Sequence, residues 1–158
     1  MPFRFTLQEV LDYRTRIEEM RQRELAETQR QVDRLEDLIA QATALRLDCR
    51  GELSARLQEG SFLYQEIYLN YIKALDSLIK RSMTHLEELH KERERRRLLL
   101  EYATRQSQAL DELKKAELRQ FRVEEQRAER KQFDEIAIRN FLMASREKNA
   151  GSPEESLP

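Results

Sequence analysis

The chain has 158 residues, of which 37% are charged, and its formal net charge at pH 7 is −1. This balance excludes the strongly basic or acidic field that attracts nucleic acid or a membrane surface, and a mean hydropathy of −0.83 leaves little apolar material for a thick core. The polar residues are mainly Glu, Arg, Gln and Lys, which favour helices, and no proline occurs between Phe3 and Ser152. The composition therefore predicts long helices.

The first predicted helix begins at Thr6 and ends at about residue 58. Thr6 and Glu9 have the spacing of a capping box, and Phe5 and Val10 have the spacing of the hydrophobic staple that accompanies it. A heptad pattern then predicts a coiled-coil seam. Its core positions are Leu25, Thr28, Val32, Leu35, Ile39, Ala42, Arg46, Cys49, Leu53 and Arg56.

An earlier apolar run in the same helix does not fit this register. Val10, Tyr13, Ile17 and Met20 are also spaced by three or four residues, but they join the later seam with an offset near Glu24. We interpret the offset as a stutter, a local insertion in the heptad repeat.

A turn is predicted at about residues 58–62, where the heptad pattern stops. Gly60 can adopt the left-handed conformation that ends a helix, and Ser61 can begin the next one. A second helix is predicted over about 62–146, followed by a disordered tail over 149–158. Its seam positions are Ile72, Leu75, Ile79, Ser82, Leu86, Leu89, Arg93, Arg96, Leu100, Ala103, Ser107 and Leu110.

These two stripes predict an all-α fold, a long two-helix antiparallel coiled-coil hairpin that forms one domain over residues 1–148. Neither stripe can be buried alone, so the helices fold back on each other. Folding at Gly60 places Phe5 near Lys115, and the second helix therefore overhangs the first by about 30 residues, or ~45 Å. Apolar side chains in this overhang need a partner. They are Phe121, Phe133, Ile136, Ile138, Phe141 and Leu142.

An apolar strip is predicted beside the seam near the turn. Leu38 and Leu45 of the first helix, and Tyr64, Tyr71 and Leu78 of the second, occupy heptad position g, which is usually charged. In an antiparallel pair, the g positions of both helices lie on the same side of the hairpin. The strip is either a locally widened core or a docking surface, and its tyrosines favour docking because tyrosine is enriched in interfaces.

No catalytic constellation is evident in the sequence. His85 and His90 are five residues apart and face different sides of a helix, so they make a poor metal pair. Cys49 lies in the seam as a small core residue, without a nearby histidine to activate it. The basic run over residues 91–97 contains glutamates and reads as a salt-bridged surface. We therefore predict a protein that is not an enzyme and binds no cofactor, metal, small-molecule substrate or nucleic acid.

Three segments together resemble the bacterial flagellar FliJ family. The first is FRFTLQEVLDYR at residues 3–14, the second is YLNYIKAL at residues 68–75, and the third is RKQFDEIA at residues 130–137. The resemblance covers residues 3 to about 143 in the expected order. It implies a non-enzymatic component of the flagellar type III export apparatus, supporting flagellum assembly. It also implies a location in the cytoplasm, at the inner face of the membrane below the flagellum.

The resemblance also implies partners. The hairpin resembles the rotor stalk of F-type ATPases. Its open end, made of the two termini, is expected to enter the hexameric export ATPase, and a region near the turn is expected to contact the cytoplasmic domain of the export-gate membrane protein. Export chaperones are further expected partners. The implied gate-binding strip is Leu38, Leu45, Tyr64, Tyr71, Leu75 and Leu78, with the polar Arg34, Gln41 and Ser82 in the same rows. The implied ATPase-binding end is Phe5, Leu7, Val10, Leu11, Phe121, Phe133, Ile136, Arg139 and Phe141.

Three alternatives remain open on the sequence alone. A generic coiled-coil scaffold or dimerisation module would need no partner-specific strip. A basic helix at residues 93–97 would bind RNA or lipid in a salt-sensitive manner. A counterpart of the stalk in an injectisome would use the same mechanics for virulence secretion, although the segment at residues 3–14 favours the flagellar family.

Overall fold

The computed structural model describes residues 2–151 and consists of two helices joined by a short turn. Helix α1 spans Gln8–Gln58 and helix α2 spans Gln65–Ala150. The structure is 91% helical, and no strand occurs among the residues it describes. The predicted all-α helical hairpin is confirmed. None of the described helices is apolar over a stretch long enough to cross a bilayer.

The chain divides into two compact units, and both helices pass from one unit to the other. The larger, which we call the hairpin unit, is Val10–Gln108 and contains most of α1, the turn and the first half of α2. The smaller, which we call the terminal unit, combines the residues up to Glu9 with those from Ala109 onward. Helix α2 includes residues 149 and 150 of the expected tail, and residues 152–158 lie outside the described part of the chain.

The core of the hairpin unit follows the predicted heptads. Ala42, Leu75 and Ile79 form a buried cluster against which Ile39 and Leu78 pack. Every predicted seam position of α1 except Arg56, and every one of α2, is buried or half-buried. The register that the apolar residues indicate is therefore confirmed.

Polar contacts between the helices show how they are aligned. Three of the cross-helix hydrogen bonds join Arg46 to Asp76 at 2.8 Å, Arg93 to Gln29 at 3.2 Å, and Thr104 to Glu18 at 3.0 Å. As the partner on α1 moves toward the N-terminus, the partner on α2 moves the same distance toward the C-terminus. The helices are therefore antiparallel and fold about Ser61, one residue from the predicted position.

The stutter predicted near Glu24 is wrong. Of the predicted run, Val10, Tyr13 and Met20 are exposed and Ile17 is half-buried, whereas Leu11 is buried. From Leu11 the heptad repeat runs without interruption into Leu25. The seam positions between those two leucines are Arg14, Glu18 and Arg21, all half-buried. The repeat was hidden because charged residues occupy it, and long side chains can cover apolar surface with their stems while keeping their charge near water.

Helix α1 begins at Gln8, two residues after the predicted start at Thr6. The Gln8 N–H donates to the Phe5 carbonyl at 3.2 Å and closes a turn before the helix. Val10 is exposed, so it is not the buried half of the predicted staple. The start of the helix is set by this backbone turn.

The turn between the helices ends α1 as predicted but starts α2 three residues late. The Ser61 N–H donates to the Arg56 carbonyl at 2.9 Å, and the Gly60 N–H donates to the Leu57 carbonyl at 3.1 Å, which together form a Schellman motif. Gly60 has the left-handed φ of +78° that this motif requires. Ser61 does not begin α2, because Tyr64 also adopts a left-handed φ of +65°, which interrupts the chain just before Gln65.

Two glycine substitutions should have opposite effects on stability. Gly60→Ala should lower the free energy of unfolding by about 1 kcal/mol, because alanine is strained at positive φ. Gly51→Ala should raise it by about 0.5–1 kcal/mol, because Gly51 lies inside α1. An added Cβ meets no atom within 4 Å at either position, so only the backbone differs. Urea unfolding followed by circular dichroism measures both, and two shifts of the same sign would contradict the assigned turn.

Candidate partner-binding surfaces

The predicted strip near the turn lies mostly on the surface of the hairpin unit. Leu38 and Tyr71 are 40% and 45% exposed, and Leu45 and Tyr64 are also exposed. Leu78 is half-buried against the core cluster, and Leu75 is buried within that cluster. Leu38, Leu45, Tyr64 and Tyr71 can therefore meet a partner, while Leu75 supports them from the seam.

Sequence reasoning missed several apolar residues at the turn itself. Phe62, Leu63 and Ile67 are each more exposed than any member of the strip. The prediction placed residues 62 and 63 within a regular helix, whereas they lie in the connection before α2. The sequence signal that could have revealed them is the pair of adjacent large apolar residues at 62 and 63, which lie outside the seam.

Polar contacts between residues outside the strip also join the helices near the turn. The Arg46 guanidinium lies 2.8 Å from Asp76, and Arg50 lies 3.5 Å from the same carboxylate. The Tyr68 hydroxyl donates to Glu52 at 2.9 Å, and this hydrogen bond raises the pKa of Tyr68. The hairpin thus has contacts of its own here, independent of the exposed strip.

In the terminal unit, the chain before α1 packs on α2. The rings of Phe3 and Phe121 lie 5.6 Å apart in a tilted arrangement, a favourable geometry for an aromatic pair. Phe5 is buried, whereas Leu7 is exposed. The alternation of Phe3, Arg4 and Phe5 fits an extended segment with one face on the helix. Phe3 was absent from the predicted site residues.

Beyond Phe121, helix α2 is uncovered in this structure. From Arg122 to Gly151 every residue except Ser145 is exposed. Phe133 and Phe141 are 70% and 72% exposed, and the other large apolar residues of the segment are Val123, Ile136, Ile138, Leu142 and Met143. Among the described residues, the last ion pair along the chain joins Lys115 to Asp111. The charged groups of this segment, which we call the bare helix, thus have no ionic partner among residues 2–151.

The apolar residues of the bare helix point in several directions. Successive residues of an α-helix are rotated by about 100°, so Phe133 and Leu142, nine residues apart, lie about 180° from each other. Phe141 and Met143 are also on nearly opposite faces by the same rule. A helix that lies on a flat surface needs one apolar stripe, whereas a helix that is apolar on several sides is typically enclosed.

The residues predicted for the ATPase-binding end differ in their exposure and in the unit to which they belong. Phe133, Ile136, Arg139 and Phe141 are exposed in the terminal unit, and Phe121 is half-buried there. Leu11, in the hairpin unit, is buried. Its side chain stabilises the seam, whereas Val10 beside it is available at the surface.

The basic run over residues 91–97 is a salt-bridged surface, as predicted. Arg97 lies 2.7 Å from Glu94, and Arg95 and Arg96 lie 2.9 and 3.0 Å from Glu92. The hydrogen bond from Arg97 lowers the pKa of Glu94. No group of three or more potential metal ligands occurs in the part of the chain that the structure describes.

Comparison with known families identifies the chain. The family model described as "Flagellar FliJ protein" matches residues 3–146. The chain belongs to the FliJ family. Membership implies a component of the flagellar export apparatus, which agrees with the resemblance found at residues 3–14, 68–75 and 130–137. Neither the search of curated proteins nor the search of solved structures gave a match.

For this FliJ-family chain, the strip and the seam should respond differently to a charge. Ile79→Asp should lower the free energy of unfolding by a few kcal/mol, because it buries an unpaired carboxylate. Leu38→Asp should change it by about 0.5 kcal/mol or less, because its side chain is accessible to water. Urea unfolding of both variants measures the difference. Equal losses would show that the strip is part of a widened core.

Proposed function

We propose that this protein is a non-enzymatic stalk of the flagellar type III export apparatus, whose terminal unit enters the central hole of the hexameric export ATPase. The proposal rests on the bare helix, with large apolar side chains on opposite faces. A ring encloses a rod on all sides, so apolar residues at several angles can be buried together. One rod meets six subunits unequally, which biases nucleotide state around the ring or stabilises the hexamer.

Apolar contact should dominate this interaction. Arg127, Arg130, Lys131 and Arg139 flank the apolar residues and are exposed. Ion pairs between such groups and acidic loops contribute at most ~1 kcal/mol each and weaken with salt. The large side chains of Phe133 and Phe141 contribute more through burial. Binding to the ATPase should therefore depend only moderately on ionic strength.

The strip near the turn is the proposed contact for the cytoplasmic domain of the export-gate membrane protein. Leu38, Leu45, Tyr64 and Tyr71 present leucine and tyrosine side chains on one edge of the hairpin unit. Apolar and aromatic anchors of this kind form the centre of protein interfaces. With one contact at the gate and one in the ATPase, the protein would act in the cytoplasm at the inner face of the membrane. Export chaperones are the third proposed class of partner.

Removal of the bare helix should abolish ATPase stimulation. A chain ending at Phe121 keeps the contact between Phe3 and Phe121 and the whole hairpin unit. It should therefore retain its helix content per residue and its binding to the gate domain. A steady-state assay of the cognate export ATPase compares the full-length and shortened proteins. Equal stimulation by both would contradict the proposal that the bare helix is the tip of the stalk.

Charges on opposite faces of the bare helix should both weaken the ATPase interaction. Phe133→Asp and Leu142→Asp should each lower the affinity by about tenfold or more, because each removes a buried apolar contact and desolvates a carboxylate. Leu47→Asp is the control, since Leu47 is as exposed as Phe133 but lies in the hairpin unit. Titration of the ATPase with each variant measures the affinity. Loss of binding with only one of the two bare-helix variants would indicate a flat interface.

A further inference from the structure

The seam of the hairpin unit contains an incompletely covered apolar layer at Leu25 and Leu100. Both side chains are half-buried. On α2 the seam positions on the two sides of Leu100 are Arg96, which follows Arg93, and the small, buried Ala103; on α1 the positions on the two sides of Leu25 are Arg21 and Thr28. Two helices with such polar neighbours cannot cover this layer as fully as an apolar seam would.

One side of the layer is closed by a hydrogen-bonded network. Arg96 Nη1 donates to Thr28 Oγ1 at 2.8 Å and to the Glu24 carbonyl at 2.9 Å, and Arg96 Nε donates to Glu92 at 3.0 Å. Arg21 pairs with Glu24 at 2.9 Å. Thr28 is almost completely buried as a result. These groups satisfy one another and offer little to a partner.

The other side of the same layer is open. A cleft of about 580 Å³ lies beside the seam on this side of the layer. It is distinct from a cleft of about 660 Å³ at the N-terminal segment. Volumes of ~300–1,000 Å³ are typical of binding pockets. Leu25, Ala26 and Leu100 form its apolar part. Its polar rim is Gln22, Gln29, Arg93, Glu94 and Arg97.

The charges of the polar rim favour an anionic partner. Glu94 is held by Arg97 at 2.7 Å, so its charge is already compensated. Arg93 donates to the Gln29 amide oxygen at 3.2 Å, and within the described residues it has no carboxylate partner at ion-pair distance. Its guanidinium can therefore donate hydrogen bonds to a carboxylate of a partner. The small side chain of Ala26 leaves room for a close approach of another backbone.

We propose that this cleft docks an amphipathic acidic helix of a partner protein, which inserts an apolar side chain between Leu25 and Leu100 and places a carboxylate at Arg93. A groove between two antiparallel helices suits a third helix, whose anchors recur every three or four residues. The site is distinct from the strip near the turn and from the bare helix. It does not depend on the ATPase or gate contacts.

Two substitutions of alanine by tryptophan distinguish binding in the cleft from binding elsewhere on α1. Ala26→Trp places a large ring over the cleft, whereas Ala40→Trp places the same ring two heptads away, at an equivalent exposed position. Both alanines lie in α1 on its outer surface, so neither change disturbs the seam. Circular dichroism spectra of the two variants should match that of the unaltered protein. Arg93→Gln removes the charge while keeping a donor for Gln29.

The probe is a fluorescein-labelled synthetic helix with leucines at every third or fourth position and glutamates elsewhere, compared with a version that has lysines in place of the glutamates. Fluorescence anisotropy should show binding of the acidic helix to the unaltered protein and to Ala40→Trp. Affinity should fall at least about tenfold with Ala26→Trp, with Arg93→Gln and with the basic helix. Absence of binding, or equal affinity for the Ala26→Trp and Ala40→Trp proteins, would overturn the proposal.

Discussion

The structure depends on the burial of two apolar stripes against each other, because a long amphipathic helix is only marginally stable alone in water. Helix α1 has 51 residues and helix α2 has 86, so α1 cannot cover α2 along its whole length. The same physical requirement therefore produces both the stable hairpin unit and the uncovered bare helix. A partner must supply what α1 does not, and this links the fold to the proposed role as a stalk.

The seam is apolar near the turn and contains hydrogen-bonded polar layers farther from it. Near the turn, Ala42, Leu75 and Ile79 exclude water by apolar packing. Farther along, Arg96 crosses to Thr28 and to the Glu24 backbone. Hydrogen-bonded layers of this kind contribute less net stability than apolar ones, but they favour a single register, since a shift would leave the charged groups without partners. In this protein the polar layers hold the alignment, and the apolar layers supply most of the stability.

The sequence was sufficient for the helices and for most of the seam, because apolar residues mark the heptads from Leu25 and from Ile72 onward. It was insufficient between Leu11 and Leu25, where arginine and glutamate occupy core positions and mimic a surface. The late start of α2 depends on the backbone conformation of Tyr64, which no local pattern reveals. The contact of Phe3 with Phe121 joins residues far apart in the chain, so only the tertiary structure could show it.

The most direct test of the account is thiol labelling of the bare helix in the presence of the export ATPase. In a Cys49→Ala background, the Phe133→Cys and Leu142→Cys proteins carry one thiol each, on opposite faces of α2, and Leu47→Cys provides an exposed control in the hairpin unit. If the ring encloses the helix, the ATPase hexamer should slow maleimide labelling at both bare-helix positions and leave labelling at the control position unchanged. Protection of only one face, or of neither, would contradict enclosure of the helix by the ring.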